Sequence, residues 1–220
     1  TQYTPEKGWD ENKLDMFRRH IIQLGNSGVY VIYDELEGKE AVTWSYLLHT
    51  VELPMEMKEL PNEVQVTGKN KAGGVSVAHL FSSAKTEQAI ADTFFCAPTN
   101  WKNVTNAQGK ALKYPNHWHF SSTTVPCKTT SFLTVMDTHG KNRPDMQVVR
   151  KGNTIQIGDW TITCNLTEKG KAAIYVSNKT EKVSLNYDAG KKEGATIVTD
   201  QVKGKQISKV LTDYLPDFEI

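Results

Sequence analysis

The chain has 220 residues and a formal net charge of +1, with 26 basic and 25 acidic side chains. This length can bury a sizeable core in one large domain or two small ones. The charge balance lacks the basic excess that a nucleic-acid surface needs, and no apolar run approaches the roughly 20 residues of a membrane span. Because Thr1 opens the chain without Met or a visible signal peptide, we expect a processed protein or a piece of a larger one.

Short alternating apolar and polar runs, separated by turn residues, predict β-strands from residue 17 onward. Strands over 17–24 and 28–36 flank Gly25-Asn-Ser-Gly28, which is a hairpin signature, and the third strand is expected over 41–52. The later predicted strands are 64–67, 75–81, 93–96, 117–124, 129–137, 147–150, 154–157, 160–166, 172–177, 182–187, 195–199 and 206–212.

Four stretches of the chain do not read as simple strands. Residues 53–61, which contain Pro54 and Pro61, predict a break, and residues 84–92 predict one or two helical turns. A long polar loop is expected over 97–115. Apolar spacing near the C-terminus fits either a helix or a hairpin, and the turn-like 202–205 segment favours the hairpin.

Many short strands at this spacing predict an all-β fold, an antiparallel β-sandwich. A composition shift falls near residue 140, where long aromatic strands give way to short ones rich in Lys, Thr and Gly. We therefore expect a main sandwich over residues 1–140. Residues 141–220 are expected to continue the sandwich or to form a smaller second β subdomain.

The first hairpin carries the first candidate site residue, Asp34. A turn centred on Asn26 and Ser27 places Arg19 opposite Asp34 and His20 opposite Tyr33. An Arg19 partner would hold Asp34 ionised. The carboxylate could then bind a metal, orient a histidine or form a structural ion pair. Of these alternatives we favour the ion pair.

His49 is the second candidate, because it ends a strand that alternates cleanly from Val42. The opposite face of that strand is apolar, so His49 is expected to face solvent, a cleft or a partner domain. Asp34 and His49 would supply two of the three protein ligands that a zinc site commonly uses, with His20 as the nearest third. The alternative is a hydrogen-bonding surface histidine.

The run His117-Trp118-His119 is the third candidate. On a strand, His117 and His119 share one face and Trp118 lies on the other. The histidines could chelate a metal or contact a saccharide, so all three residues are predicted to bind substrate. The alternative places Trp118 in the core. No nucleophile motif or phosphate loop occurs, and no catalytic residue is predicted.

With these residues in view, the chain resembles the C-terminal β-sandwich region of heparinase II/III-like polysaccharide lyases, which implies a supersandwich-like arrangement of its strands. The likeness covers about residues 15–140. It rests on these segments: Phe17-Arg-Arg-His-Ile-Ile-Gln-Leu, Tyr30-Val-Ile-Tyr-Asp-Glu-Leu, Val42-Thr-Trp-Ser-Tyr-Leu-Leu-His-Thr, Asn116-His-Trp-His-Phe, Ser131-Phe-Leu-Thr-Val and, more weakly, 74–101.

The resemblance implies a bacterial protein of the periplasm or exterior that acts on polysaccharides containing uronic acid, such as glycosaminoglycans, by β-elimination. It also implies an N-terminal α/α toroid domain, which supplies a catalytic Tyr and His and forms the substrate cleft with the β region. Some members hold zinc through His and Asp in the β region, where Asp34 and His49 match. An earlier His ligand is expected near Met16 and Phe17, where this chain has none.

Three functions follow as hypotheses. The first is the β-sandwich portion of a lyase, which lines the cleft, does not catalyse alone and presents an apolar docking face near the hairpin. The second is a stand-alone carbohydrate-binding module that uses Trp101, Trp118 or Trp160 as stacking platforms. The third is a non-catalytic adhesion domain.

Overall fold

A computed structural model describes residues 14–51, 53–92, 106–110, 117–167, 172–188, 196–202 and 205–211. All regular secondary structure in these ranges is β-strand, paired antiparallel, which confirms the predicted all-β sandwich. In chain order the strands are β1 Leu14–Gln23, β2 Val29–Val42, β3 Ser45–Val51, β4 Glu56–Leu60, β5 Glu63–Lys69, β6 Gly74–Ser82, β7 Thr86–Ala91, β8 His117–Thr124, β9 Cys127–Gly140, β10 Val148–Lys151, β11 Thr154–Ile157, β12 Trp160–Cys164, β13 Ala173–Asn178, β14 Val183–Asp188, β15 Thr196–Val202 and β16 Lys205–Leu211.

A central sheet of six strands has the order β1-β2-β9-β6-β5-β4. Its first hairpin has the register that the sequence predicts, with Arg19 opposite Asp34 and His20 opposite Tyr33. Both turn glycines have positive φ, 54° at Gly25 and 77° at Gly28, a conformation that glycine adopts without a steric penalty.

A smaller sheet of three strands, ordered β3-β8-β7, includes two departures from the sequence prediction. The strand expected over 41–52 begins only at Ser45, because β2 continues through Val42. The predicted helical turns over 84–92 are wrong, because this segment contains β7, which pairs with β8. In the central sheet, β4 lies inside the predicted break at 53–61 and pairs with β5.

The third sheet is a meander of seven strands, β10 to β16, each paired with the next along the chain. The pairing of β15 with β16 confirms the C-terminal hairpin over the helix. All seven strands follow Gly140, whereas the other two sheets use only earlier strands. The division into domains at residue 140 stays a prediction, and the strand expected over 93–96 lies outside the described residues.

Two hydrophobic cores make the central sheet the middle layer of three. One face of β2 and β9 packs against the meander, through Val31, Tyr33, Leu133, Ile162 and Ile174. The other face packs against the three-stranded sheet: in the second core, Leu36, Leu80 and Phe132 of the central sheet meet Tyr46 and Phe120 of the smaller one. Full burial of each such side chain stabilises the fold by about 1.5–3 kcal/mol relative to exposure.

Candidate functional site

The outer face of the three-stranded sheet carries three of the histidines. His49 on β3 lies directly opposite His119 on β8, and their ring centroids are 6.0 Å apart. His117 stands two residues from His119 and therefore shares that face. His119 is only 5% exposed, whereas His49 is exposed. Two candidates from separate parts of the sequence thus meet on one surface, which we call the histidine face (His49, His117, His119).

The pKa of His49 is lowered from its ordinary value, first by desolvation and then by the charges of His119 and His117. A lowered pKa favours the neutral imidazole, which has one N–H donor and one nitrogen acceptor. In that form His49 suits hydrogen bonds to hydroxyl groups, which themselves donate and accept.

The tryptophans in the described ranges are packed against the cores. Trp118 lies on the inner face of β8 with the second core, so it does not share a surface with His117 and His119. Trp160 packs against the first core and Trp44 against the second. Trp101 lies outside the described residues. This packing favours the alternative that places Trp118 in the core, and substrate binding by Trp118 stays a prediction.

Asp34 forms an ion pair with its cross-strand neighbour. Its two carboxylate oxygens accept hydrogen bonds from Arg19, from Nε at 2.7 Å and from Nη2 at 2.8 Å. The carboxylate is buried, and a bidentate guanidinium pair is among the stronger interactions of this kind. Both oxygens that would bind a metal are thus already engaged by Arg19.

The three residues considered for a zinc site do not converge. Asp34 and His49 lie in different sheets, and His20 points to the opposite face of the central sheet, where it contacts Glu35. Within the described ranges, no group of three His, Cys, Asp or Glu side chains is arranged to hold a metal ion. Zinc binding through Asp34 and His49 stays a prediction. The positions of Asp34, His49 and His20 do not fit a shared zinc site.

Sequence reasoning missed a polar cluster between the central sheet and the meander. Glu35 is 2% exposed, and its Oε2 lies 2.7 Å from Nε2 of His20 and 3.8 Å from Nη1 of Arg18. Arg18 also donates to the hydroxyl of Tyr187 on β14, and the ring of Tyr187 lies 4.3 Å from that of His20. The available signal was the alternation of β1, which puts Arg18 and His20 on one face.

Tyr187 does not fit the role of a general base. Desolvation is the main cause that raises its pKa to about 12, and the charge of Glu35 raises it further. The hydroxyl is therefore protonated at neutral pH. The cluster joins two sheets through hydrogen bonds, and we assign it a structural role.

The first hairpin also presents an uncovered apolar surface. Phe17 is 58% exposed and Ile21 is 66% exposed, and both alternate with Arg19 on one face of β1. We call these two side chains the β1 apolar strip. Large apolar side chains that share one face of an exposed strand are typical of an interaction surface.

Among the described residues, no helix has the length and apolar character to cross a bilayer. In comparisons with known proteins, the chain matches no family model, and no curated protein sequence matches it significantly.

Proposed function

We propose that this chain is the β-sandwich portion of a heparinase II/III-like polysaccharide lyase, which contacts a polysaccharide containing uronic acid and does not eliminate it alone. The observation that carries the proposal is the β1 apolar strip, because a lyase β region needs a docking face for its helical partner. The sequence resemblance places that face at the first hairpin, where Phe17 and Ile21 are exposed.

The position of the strip supports docking by a partner domain. Phe17 and Ile21 lie on the same face of the central sheet as Asp34 and Leu36, since Arg19 between them pairs with Asp34. Over β2 and β9 this face is covered by the three-stranded sheet. At β1 the side chains of Phe17 and Ile21 are exposed, so the apolar surface of a partner domain could extend the second core there.

The titration behaviour of three buried tyrosines disfavours each of them as the base of an elimination. β-Elimination needs a base at the carbon next to the uronate carboxylate and a group that neutralises that carboxylate. The pKa values of Tyr33, Tyr46 and Tyr187 are all raised, in each case mainly by desolvation. None of these three hydroxyls is suited to remove a proton at neutral pH.

The histidine face supports contact with a saccharide. His49 is exposed and favours the neutral form, and His117 shares its surface. Hydroxyl groups of a sugar could bond to the neutral imidazole of His49. The alternative of a stand-alone carbohydrate-binding module is less well supported, because Trp118 and Trp160 pack against the cores instead of forming stacking platforms.

The proposal is tested by comparing this chain with the full product of its gene, using the ultraviolet absorbance of the unsaturated sugar. We expect product from the full protein and none from residues 1–220 alone. Phe17→Asp with Ile21→Asp should greatly reduce activity in the full protein. The control is Val149→Asp, which places one such charge at an exposed apolar residue of β10, and each single variant of Phe17 and Ile21 is compared with it. Turnover by the isolated chain, or a full gene product without a helical domain, would contradict the proposal.

A further inference from the structure

A polar groove lies where strands of all three sheets approach one another. It has a volume of about 490 Å³ and is lined by residues of the β4–β5 hairpin, β6, β7 and β10. This volume is within the range of ordinary ligand pockets, roughly 300–1,000 Å³. The side chains that matter most are Asn62, Glu63, Lys85, Gln88 and Arg150.

Arg150 is held in place at one wall of this groove. Its Nη1 donates to the carbonyl oxygen of Asn62 at 2.7 Å, and its Nε donates to that of Gly152 at 2.8 Å. The guanidinium carbon lies 5.1 Å from the centroid of the buried Phe81 ring. Two hydrogen bonds and one ring contact therefore fix the guanidinium before any ligand arrives.

In the described part of the chain, no carboxylate forms an ion pair with Arg150. A guanidinium has five N–H donors, and the bonds to Asn62 and Gly152 use two of them. Three donors on a fixed cation remain, and a planar carboxylate is the group that best matches them.

The rest of the groove offers groups that bond to hydroxyls. Glu63 lies 3.3 Å from Nδ1 of His79 and keeps its second oxygen as an acceptor. The amide nitrogen of Gln88 donates to the hydroxyl of Thr86 at 2.7 Å, and its amide oxygen is a further acceptor. Lys85 is exposed and adds a second cation. The carboxylates of Glu59 and Glu63 would repel a second anionic group inside the groove, so one uronate residue at a time is expected to enter it.

We propose that this groove binds one uronate residue of an acidic oligosaccharide, with the sugar carboxylate on Arg150 and its hydroxyls on Glu63 and Gln88. The choice of a saccharide rests on the proposed function. We infer a single carboxylate because Arg150 is the one fixed cation among the described residues of the groove, and the groups near it, such as Glu63 and Gln88, are carboxylate and amide acceptors. The groove is separate from the histidine face, and its residues come from different strands.

Calorimetric titration of the 220-residue chain with tetragalacturonate tests this site, with a neutral tetrasaccharide of glucose as the matched ligand. We expect the acidic ligand alone to bind, and Arg150→Gln to weaken it at least tenfold, since charged hydrogen bonds are lost. Lys151→Gln is the control, because Lys151 is the exposed neighbour on β10. Lys85→Glu is a second variant for the case in which Arg150→Gln does not fold, and it should also weaken binding.

Three results would overturn the groove as a uronate site. They are equal affinity of wild type and Arg150→Gln, equal affinity for the neutral and acidic ligands, and no binding of the acidic ligand. If His49→Ala weakens binding and Arg150→Gln does not, the groove is refuted while the histidine face, and with it the proposed function, stands. If Arg150→Gln weakens binding but the full gene product makes no unsaturated sugar, the lyase assignment fails and the groove stands.

Discussion

Asp34 and Glu35 are consecutive carboxylates that point to opposite faces of β2, and both are buried. Each obtains a cationic neighbour from β1, because the hairpin register puts Arg19 opposite Asp34 and Arg18 opposite Glu35. Burial of a charge without a partner is costly, so β1 is needed for β2 to occupy the middle layer. The consecutive arginines Arg18 and Arg19 therefore stabilise the fold, because each lies opposite a buried carboxylate of β2.

Loss of the Arg19 guanidinium should therefore destabilise the protein. For Arg19→Ala we expect a decrease of about 2–3 kcal/mol in the free energy of unfolding, because Asp34 remains buried without its bidentate partner. Urea denaturation measures it. Lys69→Ala is the control, because its pair with Glu56 is exposed and worth about 0–1 kcal/mol. Equal decreases in the free energy of unfolding of the two variants would contradict a buried ion pair between Arg19 and Asp34.

Tyr187 should make the protein sensitive to alkali. Its pKa is about 12 in the folded state and 10 in the reference state, so the folded protein favours the protonated hydroxyl. The stability from this residue is present in full below pH 10 and is lost as the pH rises through 12. Spectrophotometric titration should show that Tyr187→Phe removes one tyrosine from the group that ionises near pH 12. Loss of a tyrosine that ionises near pH 10 would contradict the placement of Tyr187 in the buried cluster.

At the scale of single elements, the first hairpin depends on Gly28. Its φ is 77°, and an added Cβ would lie 2.5 Å from the carbonyl oxygen of Thr138 on β9. Both the backbone conformation and the contact with the next strand thus require glycine.

We expect Gly28→Ala to lower the free energy of unfolding by at least about 2 kcal/mol, because the strained backbone and the collision act together. Gly140→Ala is the matched control: nothing lies within 4 Å of its added Cβ, and its φ is not in the left-handed region. Urea denaturation of both variants is the measurement. A Gly28→Ala protein as stable as the control would disprove this account of the turn.

The elements that sequence predicted well are those with strong local signals. The first hairpin combines alternation with a glycine-bounded turn, and its register was correct to the residue. The errors occur where local signals are weak: β4 lies between Pro54 and Pro61, and β7 is a short strand whose partner β8 begins 26 residues after β7 ends. Only pairing with a neighbour makes such segments strands.

At the scale of the whole molecule, the sites depend on contacts between segments that are far apart in sequence. His49 meets His119 because β3 pairs with β8, and Arg150 reaches Asn62 because β10 of the meander approaches the β4–β5 turn. Sequence alternation could place His117 and His119 on one face, but not bring His49 beside them. The Arg150 groove had no sequence signal, since each of its walls comes from a different sheet.

The central claim, which stays a proposal, is that this chain forms a saccharide-binding wall and does not carry out elimination alone. One sample, titrated with tetragalacturonate while both heat and ultraviolet absorbance are recorded, tests it most directly. We predict binding heat and an affinity that Arg150→Gln lowers at least tenfold, together with no increase in absorbance over the whole titration. Formation of unsaturated product by the isolated chain, or the absence of any binding heat, would contradict the claim.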